Sequence, residues 1–274
     1  MARACIVTIG NELLQGRILD TNSQFLSRKL TVLGHSVVAR VSVGDDIDDI
    51  GKALSFCVED MQSDLVITTG GLGPTPDDMT MQAVAKFLGK NLVLNELALS
   101  EVERKYRERN LPLTEDRIKM AMLPEGATPI PNPVGVAPGA LISTSIAGRS
   151  VTIVVLPGVP REMEAMFEHF VEPRIRGNRV LVEVTLLLKN VRESDLASIL
   201  KQLMKTYANF YIKSHPLGHE VREPSIRLYA STYSDDVARA LDLCEKFVKE
   251  AVSAVKSAIP SAVIELEHPC RVAQ

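Results

Sequence analysis

Residues 65–78 read LVITTGGLGPTPDD. The run from Leu65 to Thr69 is short, apolar and β-branched, the pattern of a strand buried on both faces. Gly70, Gly71 and Gly73 follow, then Asp77 and Asp78, and a helical pattern opens at Met79 and ends near Leu88. A strand that passes through a glycine turn into a helix is the βα step of an open α/β sheet, whose ligands bind beyond the carboxyl ends of the strands. The glycines permit close backbone approach, and their N–H groups cradle phosphate oxygens. Two adjacent carboxylates repel that phosphate unless a divalent cation lies between them, so the stretch points to a metal–phosphate ligand. The plainer reading is a turn in which Asp77 or Asp78 caps the helix.

Outward from this stretch the chain alternates. Ala4–Ile9 reads as a strand, and a helix follows with Asp20 or Thr21 as its cap, Phe25, Leu26, Leu30 and Leu33 on one face, and Gly34 as its stop. Ser36–Val43 reads as a strand, and Asp46 caps a helix that turns Ile50, Leu54, Cys57 and Val58 inward. Thr114–Met122 reads as a helix, Gly139–Ser143 and Ser150–Leu156 as strands joined by a turn, and Pro160 opens another helix. The pattern predicts a three-layer α/β domain with a mainly parallel sheet over 1–172. Pro173 to Arg179 reads as a linker. A small α+β domain follows over 178–256 in β-α-β-β-α order, and 257–274 is left as a C-terminal strand or tail.

Three further loops follow strands and converge on the same edge. GNELLQGRILDTN (10–22) offers Asn11, Glu12 and Asn22; GDD (44–46) adds Asp45 and Asp46; LPGVPREM (156–163) places Gly158 at another strand-to-helix turn. Each alone reads equally as a cap or a turn. The loop PIPNPVGVAPGA (129–140), with Asn132, Pro133, Gly135 and Gly139, is rigid enough to grip a ring, or is simply a surface connection.

Length and composition set the bounds. The 274 residues suit two domains, and 46% hydrophobic with 24% charged residues excludes a disordered or fibrous chain. With no Trp, the core must come from Val, Leu, Ile, Ala and Met. Lys and Arg total 31 against 34 Asp and Glu, which argues against a general polyanion binder. The longest apolar runs are too short for a signal or a membrane span, so a cytoplasmic protein is expected. Cys5, Cys57, Cys244 and Cys270 form no CxxC pair, so neither a zinc site nor a disulfide framework is expected, and Cys5 and Cys57 read as core thiols.

Together GNELLQGRILDTNSQFL, VGDD, TTGGLGPTPDD, PNPVGVAPGA and LPGVPREMEAMF resemble the competence/damage-inducible protein A family, and more widely the molybdopterin-binding domain of molybdenum-cofactor biosynthesis proteins. Residues 180–255, with YIKSHPLG (211–218), resemble the small KH-type domain of that family. Longer members add a nicotinamide-mononucleotide amidohydrolase domain, which this stretch lacks, so that activity is not carried over.

The resemblance implies a nucleotide pyrophosphatase acting on ADP-ribose-like or FAD-like substrates with Mg, Mn or Co. A molybdopterin-binding or cofactor-biosynthesis protein, working by binding or adenylyl transfer, is the alternative. On the matching positions, Asp77, Asp78 and Glu12 are the candidate catalytic residues, and Thr69, Gly70, Gly71 and Gly73 the phosphate loop. Asn22, Asn132, Pro133, Gly135, Gly139 and Gly158 are the nucleotide or pterin side, and Asp46, Asp77 and Asp78 the metal ligands. Pro76 stands where the family pattern has a His, so a proton-transfer role for a His at that position is not carried over. A homodimer is implied as well. KH modules clamp nucleic acid with a GXXG loop, whereas the only glycine within 180–255 is Gly218, so nucleic acid is not expected as a partner.

Overall fold

In the computed structural model, which describes residues 2–217 and 224–273, every residue of Leu65–Thr69 is buried. The strand lies between two parallel neighbours with helices covering the sheet, which explains its unbroken apolar and β-branched character. The chain forms two compact units, residues 1–31 with 35–176 and residues 32–34 with 177–274.

The first unit runs β1 (Arg3–Ile9), α1 (Asn11–Leu14), α2 (Thr21–Val32), β2 (Ser36–Val43), α3 (Ile47–Ser55), β3 (Leu65–Thr69), α4 (Thr80–Phe87), β4 (Leu92–Leu94), α5 (Glu96–Glu108), α6 (Glu115–Lys119), β5 (Met122–Pro124), β6 (Thr128–Ile130), β7 (Gly139–Ile146), β8 (Arg149–Leu156), α7 (Pro160–Met166) and α8 (Glu172–Ile175). The main sheet has the order β2-β1-β3-β8-β7-β6. Its first four strands are parallel, and β7 is antiparallel to both neighbours. From β1 the chain crosses outward to β2, whereas from β3 it crosses the other way toward β8. The connections therefore diverge between β1 and β3, which is the switch point where such sheets open a crevice.

Alternation along β1 feeds two cores. Cys5, Val7 and Ile9 pack with Ile50, Leu54 and Val84. Ile6 points to the other face, where Leu26, Leu30 and Phe167 are also fully buried. Complete burial of such side chains stabilises the unit by roughly 1.5–3 kcal/mol apiece.

Three local expectations are corrected. The helix predicted over Thr114–Met122 is the short α6, because Met122 already pairs with Leu94 in the ribbon of β4 and β5. The linker predicted from Pro173 begins as helix, because residues 172–175 continue without a break the helical run that starts at Pro160. Cys5 and Cys57 are bridged rather than free thiols, and Cys244 and Cys270 form a second disulfide. Their Cα atoms stand 5.7 and 5.9 Å apart, within bridging range. Separations of 52 and 26 residues carry no spacing motif, so only the fold brings each pair together.

The second unit runs β9 (Val180–Lys189), α9 (Glu193–Thr206), β10 (Tyr211–Leu217), β11 (Ser225–Ser234), α10 (Val237–Ala258) and β12 (Val263–Val272). Its antiparallel sheet has the order β10-β11-β9-β12. With β12 paired along β9, this is the split β-α-β-β-α-β arrangement. Its last strand lies beyond the stretch that carried the KH-type resemblance. Val184, Leu186, Leu196, Leu203 and Phe247 build the core. Gly218 and His219 lie outside the described residues. Among the described residues no helix is long and apolar enough to cross a membrane.

Candidate ligand site at the strand ends

The switch point is built from three strand ends. β1 delivers Thr8 and Ile9, β3 delivers Thr69, and the chain leaving β8 delivers Pro157 and Gly158 to one cavity of about 730 Å³. That volume suits a small organic ligand. Side chains knit the three ends together. Asn22 Nδ2 donates to Thr69 Oγ1 and to Gly158 O, both at 2.8 Å, and the Thr69 hydroxyl donates to Pro157 O at 2.7 Å.

The glycine turn after β3 is locked from beneath. Gly70 and Gly71 take φ of +117° and +65°, in the left-handed region that favours glycine. Gly70 N donates to Leu156 O, and Gly70 O accepts from the buried Thr80 hydroxyl at 2.8 Å. A Cβ on Gly70 would strike the carbonyl of Ile9, and one on Gly71 would strike the Thr80 hydroxyl. Gly71 and Gly73 line the cavity, while Gly70 acts behind them as the hinge.

The predicted residues divide. Glu12, Asn22, Thr69, Gly71, Gly73, Asp78, Gly135 and Gly158 all line the cavity. Asp77 does not line it. The Thr75 hydroxyl lies 2.5 Å from both Asp77 Oδ1 and Asp78 Oδ2, and Thr75 N donates to Asp78 Oδ2 at 2.9 Å. Hydrogen bonding from that hydroxyl, then from the backbone, and the charge of Lys119 hold the Asp77 carboxyl below its ordinary range.

Asp46 lies elsewhere. Its carboxylate caps α3, accepting from Asp48 N and Asp49 N at 2.9 and 3.0 Å, in a separate depression with Asp48 and Lys86. Asp45 accepts from Asn11 N at 2.9 Å. The trio Asp46, Asp77 and Asp78 is therefore not assembled, and no group of three His, Cys, Asp or Glu side chains placed to hold a cation occurs among the described residues.

Asn132, expected beside a ring, is fully buried within its own loop. Its Oδ1 accepts from Val134 N and Gly135 N, and its Nδ2 donates to Ala137 O and to Glu162 Oε2 at 2.6 Å. Helix α5 fastens the same loop. Glu101 accepts from Asn132 N at 3.0 Å, and Lys105, paired with Glu101 at 2.6 Å, donates to Asn132 O. Asn132 thus shapes the wall that Gly135 and Val136 present to the cavity, and Pro133 and Gly139 do not line it.

Sequence reasoning missed Asp20, Arg109 and Glu162 as cavity residues. Asp20 was visible only as a helix cap, and it does cap α2 through Ser23 N at 2.9 Å. Arg109 ends a helix for which the sequence reading had no place. The rim is apolar and open: Ile18, Leu19, Val134 and Val159 are 58%, 84%, 53% and 54% exposed. These side chains can cover a flat ring while the glycine turn and the carboxylates offer polar partners.

Residues 5–177 match the family described as "probable molybdopterin binding domain". A protein of Pyrobaculum calidifontis is 44% identical over 267 residues, spanning 96% of this chain and all of that protein. One of Aeropyrum pernix is 45% identical over 251 residues, 89% of this chain and 91% of that protein. The crystal structure of the protein CinA with unknown function from Thermoplasma acidophilum is 42% identical with a TM-score of 0.56, covering 64% of this chain and 98% of that one. Match and cavity fall in the same unit, and the chain belongs to the family defined by the probable molybdopterin binding domain.

Proposed function

We propose that the first unit binds a phosphorylated pterin of the molybdopterin type in the cavity at the ends of β1, β3 and β8. The observation that carries this reading is the glycine turn at Gly70–Gly73, held in a backbone that other residues disfavour, at the switch point of a parallel sheet and beside a cavity of ligand size. The turn's N–H groups suit phosphate oxygens. Ile18, Val134 and Val159 suit the faces of a pterin ring, and the Glu12 and Glu162 carboxylates suit the N–H donors on its edge.

A divalent cation would enter this wall only as a ligand shared with phosphate, since the protein side chains alone do not form a cation site among the described residues. Asp78 and Glu12 would supply carboxylate oxygens, and phosphate oxygens and waters would complete the shell. When bound it would offset the charge of the carboxylates and polarise a phosphoryl oxygen.

Calorimetry of the purified chain with molybdopterin, with and without Mg²⁺, tests the reading. Saturable binding that Gly71→Val weakens at least about tenfold is expected, because a branched side chain at a positive φ displaces the turn. Absence of binding by the wild-type chain overturns it.

Hydrolysis of a nucleotide pyrophosphate is the second reading, favoured by four carboxylates in one cavity, those of Glu12, Asp20, Asp78 and Glu162. In that reaction Glu12 or Asp78 would take a proton from the attacking water, and the amides of Gly71 and Gly73 would meet charge developing on the phosphate. Release of phosphate products from ADP-ribose or FAD with Mg, Mn or Co, lost in a folded Asp78→Ala variant, would support it. The finer placement in the competence/damage-inducible protein A family and the homodimer belong to the same proposal. Light scattering at a single-chain mass of 30.0 kDa over a hundredfold dilution would remove the dimer.

A further inference from the structure

We propose that Arg109 is the cationic anchor for the phosphate of the cavity's ligand, an assignment that rests on the cavity taking a phosphorylated molecule. Of the charged residues lining the cavity, Glu12, Asp20, Asp78 and Glu162 are acidic, and Arg109 alone is basic. Three of the four carboxylates are already engaged by internal donors. Asp20 accepts from Ser23 N and the Thr8 hydroxyl, Asp78 from Thr75 N, and Glu162 from Asn132 Nδ2. None of them pairs with Arg109, whose exposed guanidinium makes no hydrogen bond or ion pair among the described residues.

The root of that side chain is nonetheless fixed. Arg109 N donates to Tyr106 O at 3.2 Å at the end of α5. The Tyr106 ring, itself part of the cavity wall, carries the Arg117 guanidinium 4.3 Å from its centroid. One turn earlier, the paired Lys105 and Glu101 clamp the helix to the Asn132 loop. A cation on a rigid root, beside carboxylates it does not touch, leaves its five N–H donors available to a ligand. The planar guanidinium matches two phosphate oxygens at once, which an ammonium does not. A basic residue at a helix C-terminus also interacts favourably with the helix dipole. That role affects stability, whereas an anchor affects affinity, so the two are separable.

The experiment is calorimetry on the full chain with inorganic pyrophosphate, ADP-ribose and the phosphate-free probe adenosine, for wild type, Arg109→Ala and Arg109→Lys. Arg109→Ala is expected to weaken pyrophosphate and ADP-ribose about 10–100-fold, the scale of lost hydrogen bonds to a charged group. Adenosine affinity and the melting temperature should hold, and Arg109→Lys should fall between because it keeps the charge without the fork. Equal affinity of Arg109→Ala and wild type for pyrophosphate overturns the assignment to Arg109 alone. An Arg109→Ala variant that loses adenosine and phosphate probes alike, or melts markedly lower, overturns it in favour of a structural role. A wild-type chain that binds neither phosphate probe overturns both this assignment and the reading of the cavity.

Discussion

The side-chain amide of Asn22 donates to the backbone carbonyl of Gly158 at 2.8 Å, joining residues 136 positions apart. With its second bond to Thr69, one planar group ties together the loops leaving β1, β3 and β8. Asn22→Leu keeps the volume but leaves Gly158 O and Thr69 Oγ1 without their donor. A loss of about 1–3 kcal/mol is expected. Chemical denaturation should show it, and calorimetry should show weaker ligand binding at temperatures where the variant stays folded. Unchanged stability and affinity would mean the three loops are held by other means.

Two glycines with positive φ should respond very differently to one methyl group. Gly16 has open space around its missing Cβ, so Gly16→Ala should cost about 1 kcal/mol from backbone strain alone. At Gly70 the methyl meets the Ile9 carbonyl, a backbone atom that cannot step aside, so Gly70→Ala should cost several times more. Melting curves of the two variants side by side are the check.

Asn132→Ala should be among the most damaging polar truncations in the first unit. It strips the partners of Val134 N, Gly135 N, Ala137 O and Glu162 at once. We expect a loss of about 3 kcal/mol, the upper range for unsatisfied buried groups, together with faster amide exchange at Val134 and Gly135. Exchange rates equal to wild type would show that the loop holds its shape without Asn132.

Alkylation under denaturing, non-reducing conditions should modify no cysteine, since all four are bridged. Each bridge is expected to contribute about 2–4 kcal/mol, so reduction should lower the melting temperature by roughly 5–15 °C. Four alkylated thiols in the oxidised protein would contradict both pairs.

Alkaline conditions should weaken the second unit through Tyr207. Burial, and then a hydrogen bond and charge from Glu250, push its hydroxyl up to about 12 from an ordinary 10.0. A raised pKa means that the folded state favours the protonated phenol. The associated stability is complete below pH 10 and lost as pH climbs toward 12. Tyr207→Phe should flatten that part of the stability profile, and absorbance titration should show one of the five tyrosines ionising late.

Much of the first unit was legible because its central strands β1 and β3 are buried on both faces. Leu65–Thr69 has no polar alternation to confuse it, and the glycines after it mark the turn that ends the strand. The cavity residues that lie on the segments following strands, such as Glu12, Asn22 and Gly158, followed from the rule that open sheets bind ligands there. Asp46 misled for a physical reason. A carboxylate before a helix satisfies backbone N–H groups as readily as it binds a cation, and nothing local separates the two uses. Asn132 misled similarly, since a buried asparagine that holds a loop and an exposed one that grips a ring share a Pro- and Gly-rich context. Arg109 and the two disulfides depend on contacts between distant segments, which no window of sequence contains.

Each of the two disulfides closes inside one unit, Cys5–Cys57 in the first and Cys244–Cys270 in the second. No bridge joins the halves, so residues 176–179 are the sole covalent thread from α8 to β9. A protease that cuts there would yield two separately cross-linked fragments, resolved on a gel without reductant.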